Sequence, residues 1–334
     1  MGLLIWVGVF SASMLGGEAA ARCVIPDGED LKSITSSKGL SRVVSTNYLR
    51  HSPWYYRWLV KARSPEVAGA TDDPSGALLL EELSEAQRRL GDFAGAARTV
   101  KSRERLRYKD NLALGGISMA ANKFESAADF FQNAFEMNPN GVFLSEGYAM
   151  HVLDHIAAQR AAGRKKVPVM TLQERGKAPG GFSDYMKATS TRAGIPWKKR
   201  TWKEAVRGVV ELILCGHRRS PVVWEMLGDL LREAPRGALK GAPGLAARAY
   251  LQASYQSSES LWGRKQYRSL ARAQLNPPTK PALRKFERRF ATDLKRGMKL
   301  MRKIRKDEER WTRRGRNLKL RYQKRYLAGS KRGW

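Results

Sequence analysis

NLALGGISMAANKFESAADFFQNAFEMNPN, residues 111–140, is the stretch that decides the fold class. Small residues recur in it where two short helices would have to touch, and one aromatic ring lies between the small positions of the second helix. Spacings of three and four residues place such positions on one helical face. The packing residues are Gly115, Ala127, Phe131, Ala134 and the closing Pro139. The stretch therefore predicts a helical hairpin.

Similar but weaker patterns lie on either side of this hairpin. Residues 78–103 carry the same small and large positions around a turn at Gly91-Asp92. In residues 201–275, the opening W-x-x-L-G of a helix is formed by Trp224, Leu227 and Gly228. Its partner helix, AARAYLQAS, follows a longer turn. Units that repeat in this way predict an array in which each helix pair packs on the next.

This spacing resembles the tetratricopeptide repeat, a helix–turn–helix of roughly 34 residues. The WYY segment, the NPN ending, the SEGY helix start and the WEMLGDLL…ARAYLQAS unit are similar to features of exported bacterial tetratricopeptide proteins. The resemblance implies an all-α fold, a right-handed superhelix of helical hairpins, and a groove that binds protein or peptide ligands. It implies no enzymatic activity.

The resemblance and the composition divide the chain into six segments. They are a signal peptide or N-terminal anchor (1–21), an aromatic-rich cap (22–77), tetratricopeptide-like repeats with a following helix (78–162), a basic Gly/Pro-rich insertion (163–200), a second repeat region (201–275), and a basic C-terminal helix and tail (276–334). The insertion is expected to be disordered or draped over the surface. Beyond residue 313 we expect the basic tail to be frayed.

The charge of the chain is concentrated in its last segment. The net charge is +31, and residues 280–334 hold 22 Lys and Arg against five Asp and Glu. An apolar stripe runs through their helix at steps of three and four residues: Leu283, Phe286, Phe290, Leu294, Met298, Met301 and Ile304. We expect the stripe to dock on the last repeat, although insertion of Phe286, Phe290 and Leu294 into anionic lipid is an alternative.

The N-terminus predicts export. Residues 1–17 contain no charged side chain, and Ala19-Ala20-Ala21 fits a cleavage site for a signal peptidase. A membrane anchor and an intracellular protein stay open as alternatives, because no Lys or Arg precedes the apolar run. Export would permit a disulfide between Cys23 and Cys215, but the apolar run VVELILC favours Cys215 as a small core residue.

No motif in the chain predicts catalysis, a metal or a cofactor. His151 and His155 lie one helical turn apart, but no third ligand is evident and Val152 replaces the glutamate of the zinc-protease motif. We interpret both as a half-exposed helical surface. Phosphate-binding and nucleophile motifs are also lacking, so we expect no enzyme, no cofactor and no small-molecule substrate.

Two functional hypotheses remain. The first is an exported scaffold that binds protein through a groove lined by Glu81, Glu82, Glu85, Arg88, Asn111, Ser118 and Asn122. The second is an RNA- or ribosome-associated protein anchored by its tail, whose anionic partner could equally be nucleic acid, anionic lipid or acidic protein. The tail contacts would be Arg302, Lys303, Arg305, Arg313, Arg314, Arg316, Arg321, Lys324 and Arg325.

Overall fold

The computed structural model describes residues 31–67, 74–103, 105–138, 144–164, 169–171, 173–175, 180–257 and 260–327, and this part of the chain is helical without strands. The helices are α1 (Leu31–Ile34), α2 (Ser37–Val44), α3 (Pro53–Val67), α4 (Pro74–Leu90), α5 (Phe93–Lys101), α6 (Tyr108–Ala120), α7 (Phe124–Met137), α8 (Leu144–Ala161), α9 (Phe182–Arg192), α10 (Lys199–Leu214), α11 (Pro221–Arg232), α12 (Ala242–Gln256), α13 (Leu261–Ala273), α14 (Lys280–Arg313) and α15 (Leu318–Tyr322). The predicted all-α class is confirmed. Residues 1–21 and Pro139 lie outside the described residues.

The chain forms two compact units. The middle unit consists mainly of residues 135–285, and residues 35–37 belong to it. The split unit combines residues 38–134 with residues 286–334, together with the short segment before residue 35. The basic C-terminal helix therefore belongs, from Phe286 onward, to the same unit as the first hairpins, and the expectation that its apolar stripe docks on the last repeat is wrong.

Short turns join the hairpins of the split unit. Between α4 and α5, Gly91 has φ 90° and Asp92 accepts a hydrogen bond of 2.8 Å from the Gly95 amide, which caps α5. Between α6 and α7, Asn122 has φ 59°. In the same hairpin, a β-carbon at Gly115 would lie 3.0 Å from the Phe131 ring. The glycine thus lets the aromatic ring approach the helix backbone.

Helix α14 packs through a seven-residue repeat. In the split unit, four of its buried positions lie seven residues apart: Phe290, Gly297, Ile304 and Trp311. A β-carbon at Gly297 would lie 2.8 Å from the Ser45 carbonyl oxygen, so α14 crosses the end of α2 with backbone close to backbone. The predicted stripe is wrong at Met298, which is 49% exposed. The predicted stripe contained only apolar side chains, so it missed Gly297. This glycine packs closely because it has no side chain.

The end of the chain continues to pack after α14. Helix α15 and the π-helical turn Gln323–Leu327 bury Leu318, Tyr322 and Tyr326 against Ile304 and Trp311. The prediction of a frayed tail is therefore wrong as far as Leu327. The apolar residues of this segment are separated by Lys and Arg and form no continuous stripe. Leu318, Tyr322 and Tyr326 are nevertheless enough to pack the segment against the protein.

The middle unit is built from α8 to α13, in which neighbouring helices pack on one another. A β-carbon at Gly228 would lie 2.5 Å from the Tyr250 ring, which repeats in α11 and α12 the relation seen in α6 and α7. The buried indoles are hydrogen-bonded: Trp202 donates to the Leu230 carbonyl and Trp224 to the Arg218 carbonyl, both at 2.7 Å.

The predicted insertion 163–200 is partly ordered. Its described residues include α9, which packs on α8 and α11. The Phe182 amide at the start of α9 donates a hydrogen bond of 2.8 Å to the Asp229 carboxylate, and the side chain of Arg175 is 1% exposed. The sequence reading treated the basic residues of this stretch as solvated, whereas Arg175 holds it to α11.

Cys215 ends α10 and is 9% exposed. It is disulfide-bonded rather than a free thiol, which corrects the preferred interpretation as a simple core residue. The only other cysteine of the chain, Cys23, lies outside the described residues.

Candidate anion-binding surface on the C-terminal helix

A groove of about 1180 Å³ runs along α14. Of the eleven described residues that line it, eight are basic, two are acidic, and one is apolar. They are Arg296, Lys299, Leu300, Arg302, Lys303, Arg305, Lys306, Asp307, Glu309, Arg310 and Arg313. Because one helix supplies all of them, their spacing is fixed by helix geometry.

Five of the basic residues form one stripe. Arg296, Lys299, Lys303, Lys306 and Arg310 follow one another at steps of three and four residues, and all are exposed. Residues at these steps are neighbours on a helix, with β-carbons about 5–6 Å apart. At 1.5 Å per residue, the stripe from Arg296 to Arg310 is about 21 Å long. We call these five residues the basic stripe.

The carboxylates near the groove neutralise only part of this charge. Arg296 pairs with Asp293 at 3.3 Å, Arg305 with Glu309 at 2.6 Å, and Arg310 with Asp307 at 2.5 Å. Within the described part of the chain, the remaining cations of the groove have no carboxylate partner: Lys299, Arg302, Lys303, Lys306 and Arg313. The surface is therefore electropositive and open to an anion.

Buried carboxylates hold α14 in place. The Glu308 side chain is 1% exposed and accepts hydrogen bonds from the Ser52 amide at 3.2 Å and the Ser52 hydroxyl at 2.5 Å. One of its oxygens lies 2.8 Å from Nδ1 of His51. Asp307 accepts from the Tyr326 hydroxyl at 2.6 Å and pairs with Arg325 at 2.9 Å. The helix that carries the basic stripe is thus anchored near its C-terminal end.

The aromatic residues of α3 are used in the same packing. Trp54, Tyr55 and Trp58 lie partly buried against the cluster of Ile304, Trp311, Leu318, Tyr322 and Tyr326. The His51 ring stacks on Tyr55 with centroids 3.8 Å apart and lies 4.1 Å from Tyr322. Because these rings face one another, they do not form an exposed platform for bases.

The predicted tail contacts fall into two groups. Arg302, Lys303, Arg305 and Arg313 line the groove, whereas the others lie beyond its lining: Arg314, Arg316, Arg321, Lys324 and Arg325. All nine are exposed. Sequence reasoning overlooked Arg296, Lys299, Lys306 and Arg310. A search for basic residues at three- and four-residue steps, as was made for apolar ones, could have found them.

The predicted groove residues of the hairpins are less accessible. Asn111 and Ser118 are 4% and 9% exposed, so the structure does not offer them to a partner. Glu85 pairs with Arg88 and Arg89. Glu82 is exposed and pairs with Arg63 at 2.9 Å, Glu81 is half-buried, and Asn122 lies in the turn after α6. The described packing residues are all buried: Gly115, Ala127, Phe131, Ala134, Trp224, Leu227 and Gly228.

The half-exposed surface that we expected at His151 and His155 is wrong for His155, whereas His151 is half-buried. His155 is 1% exposed and packs edge-on against Phe182, and burial lowers the pKa of both imidazoles to about 4. Both Nδ1 atoms lack a hydrogen-bond partner in the described part of the protein. Within that part, no group of three or more His, Cys, Asp or Glu side chains could hold a metal ion.

The middle unit contains a buried charge cluster that sequence reasoning did not find. Arg175 contacts Asp229 and lies 3.0 Å from Glu225, and all three side chains are at most 2% exposed. The Tyr267 hydroxyl donates to Glu225 at 2.8 Å, and the Tyr250 hydroxyl donates to Asp229 at 2.7 Å. Glu225 and Asp229 stand at i and i+4, a spacing that also suits an exposed helix face, so nothing in the sequence indicated that they are buried.

Glu225 and Asp229 share Arg175, and their pKa values are shifted in opposite directions. Burial raises the pKa of Glu225 to about 8, despite the opposing charge of Arg175. Burial also disfavours the charged form of Asp229, but the charge and the hydrogen bond of Arg175 outweigh it and lower the pKa of Asp229. At neutral pH the cluster is therefore close to electrically neutral, with Asp229 ionised and Glu225 protonated.

The described residues define an all-α protein with a basic surface on an anchored helix. No helix among them is long and apolar enough to span a membrane. Comparison with models of protein families, with curated proteins and with solved structures found no match to this chain.

Proposed function

We propose that the protein is a non-enzymatic scaffold of the tetratricopeptide type that holds an anionic macromolecule on the basic stripe. The repeat architecture is supported by the same packing at two places, where Gly115 admits Phe131 and Gly228 admits Tyr250. Stacked helix pairs of this kind present extended binding surfaces rather than catalytic pockets.

The observation that carries the proposal is the unpaired charge of the groove. Lys299, Lys303 and Lys306 are exposed cations without a carboxylate partner among the described residues, on a helix anchored by Glu308. Structural cations in this protein are paired, as Arg175 is. A row of unpaired cations on an ordered helix attracts an anion at no further cost in helix ordering.

The absence of catalysis is part of the proposal, and the geometry at Ser52 supports it. A nucleophilic serine must be accessible to its substrate, whereas Ser52 is 1% exposed. Here the hydroxyl of Ser52 donates to one carboxylate oxygen of Glu308, and His51 contacts the other oxygen of the same carboxylate. Both side chains thus bind the same carboxylate, which anchors the helix.

A charge-reversal experiment tests the anionic partner. Full-length protein in which Lys299, Lys303 and Lys306 are changed to Glu should elute from immobilised heparin at lower salt than the wild type. The matched control reverses Lys280, Lys285 and Lys295, which are exposed lysines of α14 outside the groove lining. Equal elution of both triple variants would contradict the proposal, because the change in net charge is the same.

A protein ligand in the groove of the hairpins is a second candidate. The exposed carboxylate of Glu82 on α4 favours it, since it could meet a basic peptide. Reversal of Glu82 and Glu85 to Lys should then reduce recovery of the partner in a pull-down. Unchanged recovery would remove these residues from the interface.

Export is a separate proposal. The disulfide of Cys215 supports it, because disulfides persist in oxidising compartments. N-terminal sequencing of the mature chain from cell fractions is the test, and a chain that begins at Arg22 in an exported fraction is the expected result. That outcome would argue against association with ribosomes and leave an exported polyanion as the partner.

A further inference from the structure

We propose that the basic stripe binds the phosphodiester backbone of a nucleic-acid duplex without reading its sequence. The proposal rests on the proposed anionic partner and names its class. Three observations support it: the linear arrangement of the charges, the scarcity of exposed apolar side chains beside them, and the packing of the nearby aromatic rings against the protein.

The charge pattern fits a linear polymer better than a small anion. The stripe of Arg296, Lys299, Lys303, Lys306 and Arg310 has β-carbons about 5–6 Å apart and is about 21 Å long. A single phosphate would use two or three of these cations. A duplex carries one charge per ~1.7 Å of its axis, so it can meet every cation of the stripe in any register along its length.

The apolar residues of α14 argue against a membrane as the occupant. Binding to lipid requires an apolar face that enters the bilayer beside the basic one. The apolar positions of α14 are mostly turned into the protein: Phe290 and Ile304 are 0% exposed and Trp311 is 6% exposed, and Met298, at 49%, is the one large apolar side chain of this helix that is exposed. The predicted insertion of Phe290 into lipid is therefore wrong for this packing.

The lining of the groove also argues against an acidic protein. Protein interfaces are about half apolar in area and rely on buried aromatic or aliphatic anchors. Here Leu300 is the one apolar lining residue, and it already packs against the cluster around Ile304. Phosphate binding needs no such anchor, since its affinity comes from the release of counterions.

The aromatic rings favour a duplex over a single strand. Proteins that bind single strands stack the open bases on exposed aromatic side chains. Trp54, Tyr55 and Trp58 are packed against the C-terminal cluster. A duplex keeps its bases paired and offers its phosphates, which is what an array of lysine and arginine can contact.

The test is the binding of the full chain to fluorescent RNA duplexes over a range of salt concentrations. Two 20-base-pair duplexes of unrelated sequence serve as probes, with polyglutamate of equal charge and anionic phosphatidylserine vesicles as competitors. The stripe variant neutralises Lys299, Lys303 and Lys306 to Gln. Its control neutralises Lys280, Lys285 and Lys295, and circular dichroism confirms that both variants fold.

We expect both duplexes to bind with similar affinity. The stripe variant should reduce the slope of log K against log salt by about 3, close to one unit for each lost phosphate contact. The control should change the slope by less than about 1. Polyglutamate and vesicles should compete at least tenfold more weakly than unlabelled duplex.

The other results are distinguishable. If polyglutamate or vesicles compete as well as duplex and the stripe variant weakens their binding, the anion-binding surface stands and the nucleic-acid proposal fails. If only one of the two duplexes binds, the claim of sequence independence fails. If the wild type binds none of these polyanions, or the stripe variant and its control behave alike toward all of them, the proposed function fails as well.

Discussion

The two units of this protein use charge in opposite ways. In the middle unit, Arg175, Glu225 and Asp229 are buried together and satisfy one another. In the split unit, the carboxylate of Glu308 is buried while Lys299 and Lys303 of the same helix stay in solvent. Buried ionic groups must be paired, whereas exposed cations without partners are free to bind a ligand. Pairing thus distinguishes charge that supports the fold from charge that is available for function.

The largest expected effect comes from breaking the charge cluster of the middle unit. Arg175→Met leaves two carboxylates buried without their cation, which should lower the free energy of unfolding by about 3–5 kcal/mol. Denaturation with urea measures the change. Arg200→Met is the control, because the Arg200 side chain is 92% exposed and its pair with Glu204 should contribute little. Similar losses in both variants would show that the buried cluster stabilises the protein no more than the exposed pair does.

A smaller loss should follow from removing the anchor of α14. Glu308→Ala leaves the buried Ser52 and its neighbour His51 without their acceptor, which should cost about 2–3 kcal/mol. Loosening of α14 should also weaken duplex binding, although the basic stripe is intact. The control is Glu309→Ala, whose pair with Arg305 is more exposed. A Glu308 variant that is destabilised but binds duplex normally would separate the anchor from the binding surface.

Alanine substitutions at Gly297 and Gly116 should change the stability of the protein in opposite directions. Gly297→Ala places a methyl group against the Ser45 carbonyl oxygen, and the forced backbone shift should cost about 1–3 kcal/mol. Gly116→Ala in α6 meets no atom within 4 Å and should stabilise the protein by about 0.5–1 kcal/mol through helix propensity. Thermal melts of both variants are the measurement. A neutral Gly297 variant would mean that α14 does not pack so closely on residue 45.

The last prediction is a pH dependence that arises in the middle unit. The folded-state pKa of Glu225 is raised from 4.5 to about 8, so the folded protein binds the proton more tightly than the unfolded chain does. The corresponding stability is fully present below pH 4.5 and is lost as the pH rises through about 8. Glu225→Gln should remove this decline, so its stability relative to the wild type should improve with pH. Parallel profiles of the two proteins would contradict the assignment.

The fold class was predictable because the residues that pack the hairpins lie close together in the sequence. Ala127, Phe131 and Ala134 fall at steps of four and three residues, which a helix turns into one face. The charge cluster was not predictable, because nothing local shows that Arg175 lies within reach of a helix that begins 46 residues later. The basic stripe lies between these cases. Its residues are visible in the sequence, but their lack of carboxylate partners is a fact of three-dimensional arrangement.

The division of the split unit between both ends of the chain has a consequence for its synthesis. Residues 38–134 leave the ribosome long before residues 286–327, and the whole of 135–285 is made in between. At about 5–20 residues per second, the early segment waits roughly 8–30 s for α14. During that time, Trp54 and Trp58 lack the C-terminal cluster that covers them in the finished protein. A nascent chain stalled before α14 should therefore expose an aromatic surface that chaperones bind, and completion of the last helix should withdraw it.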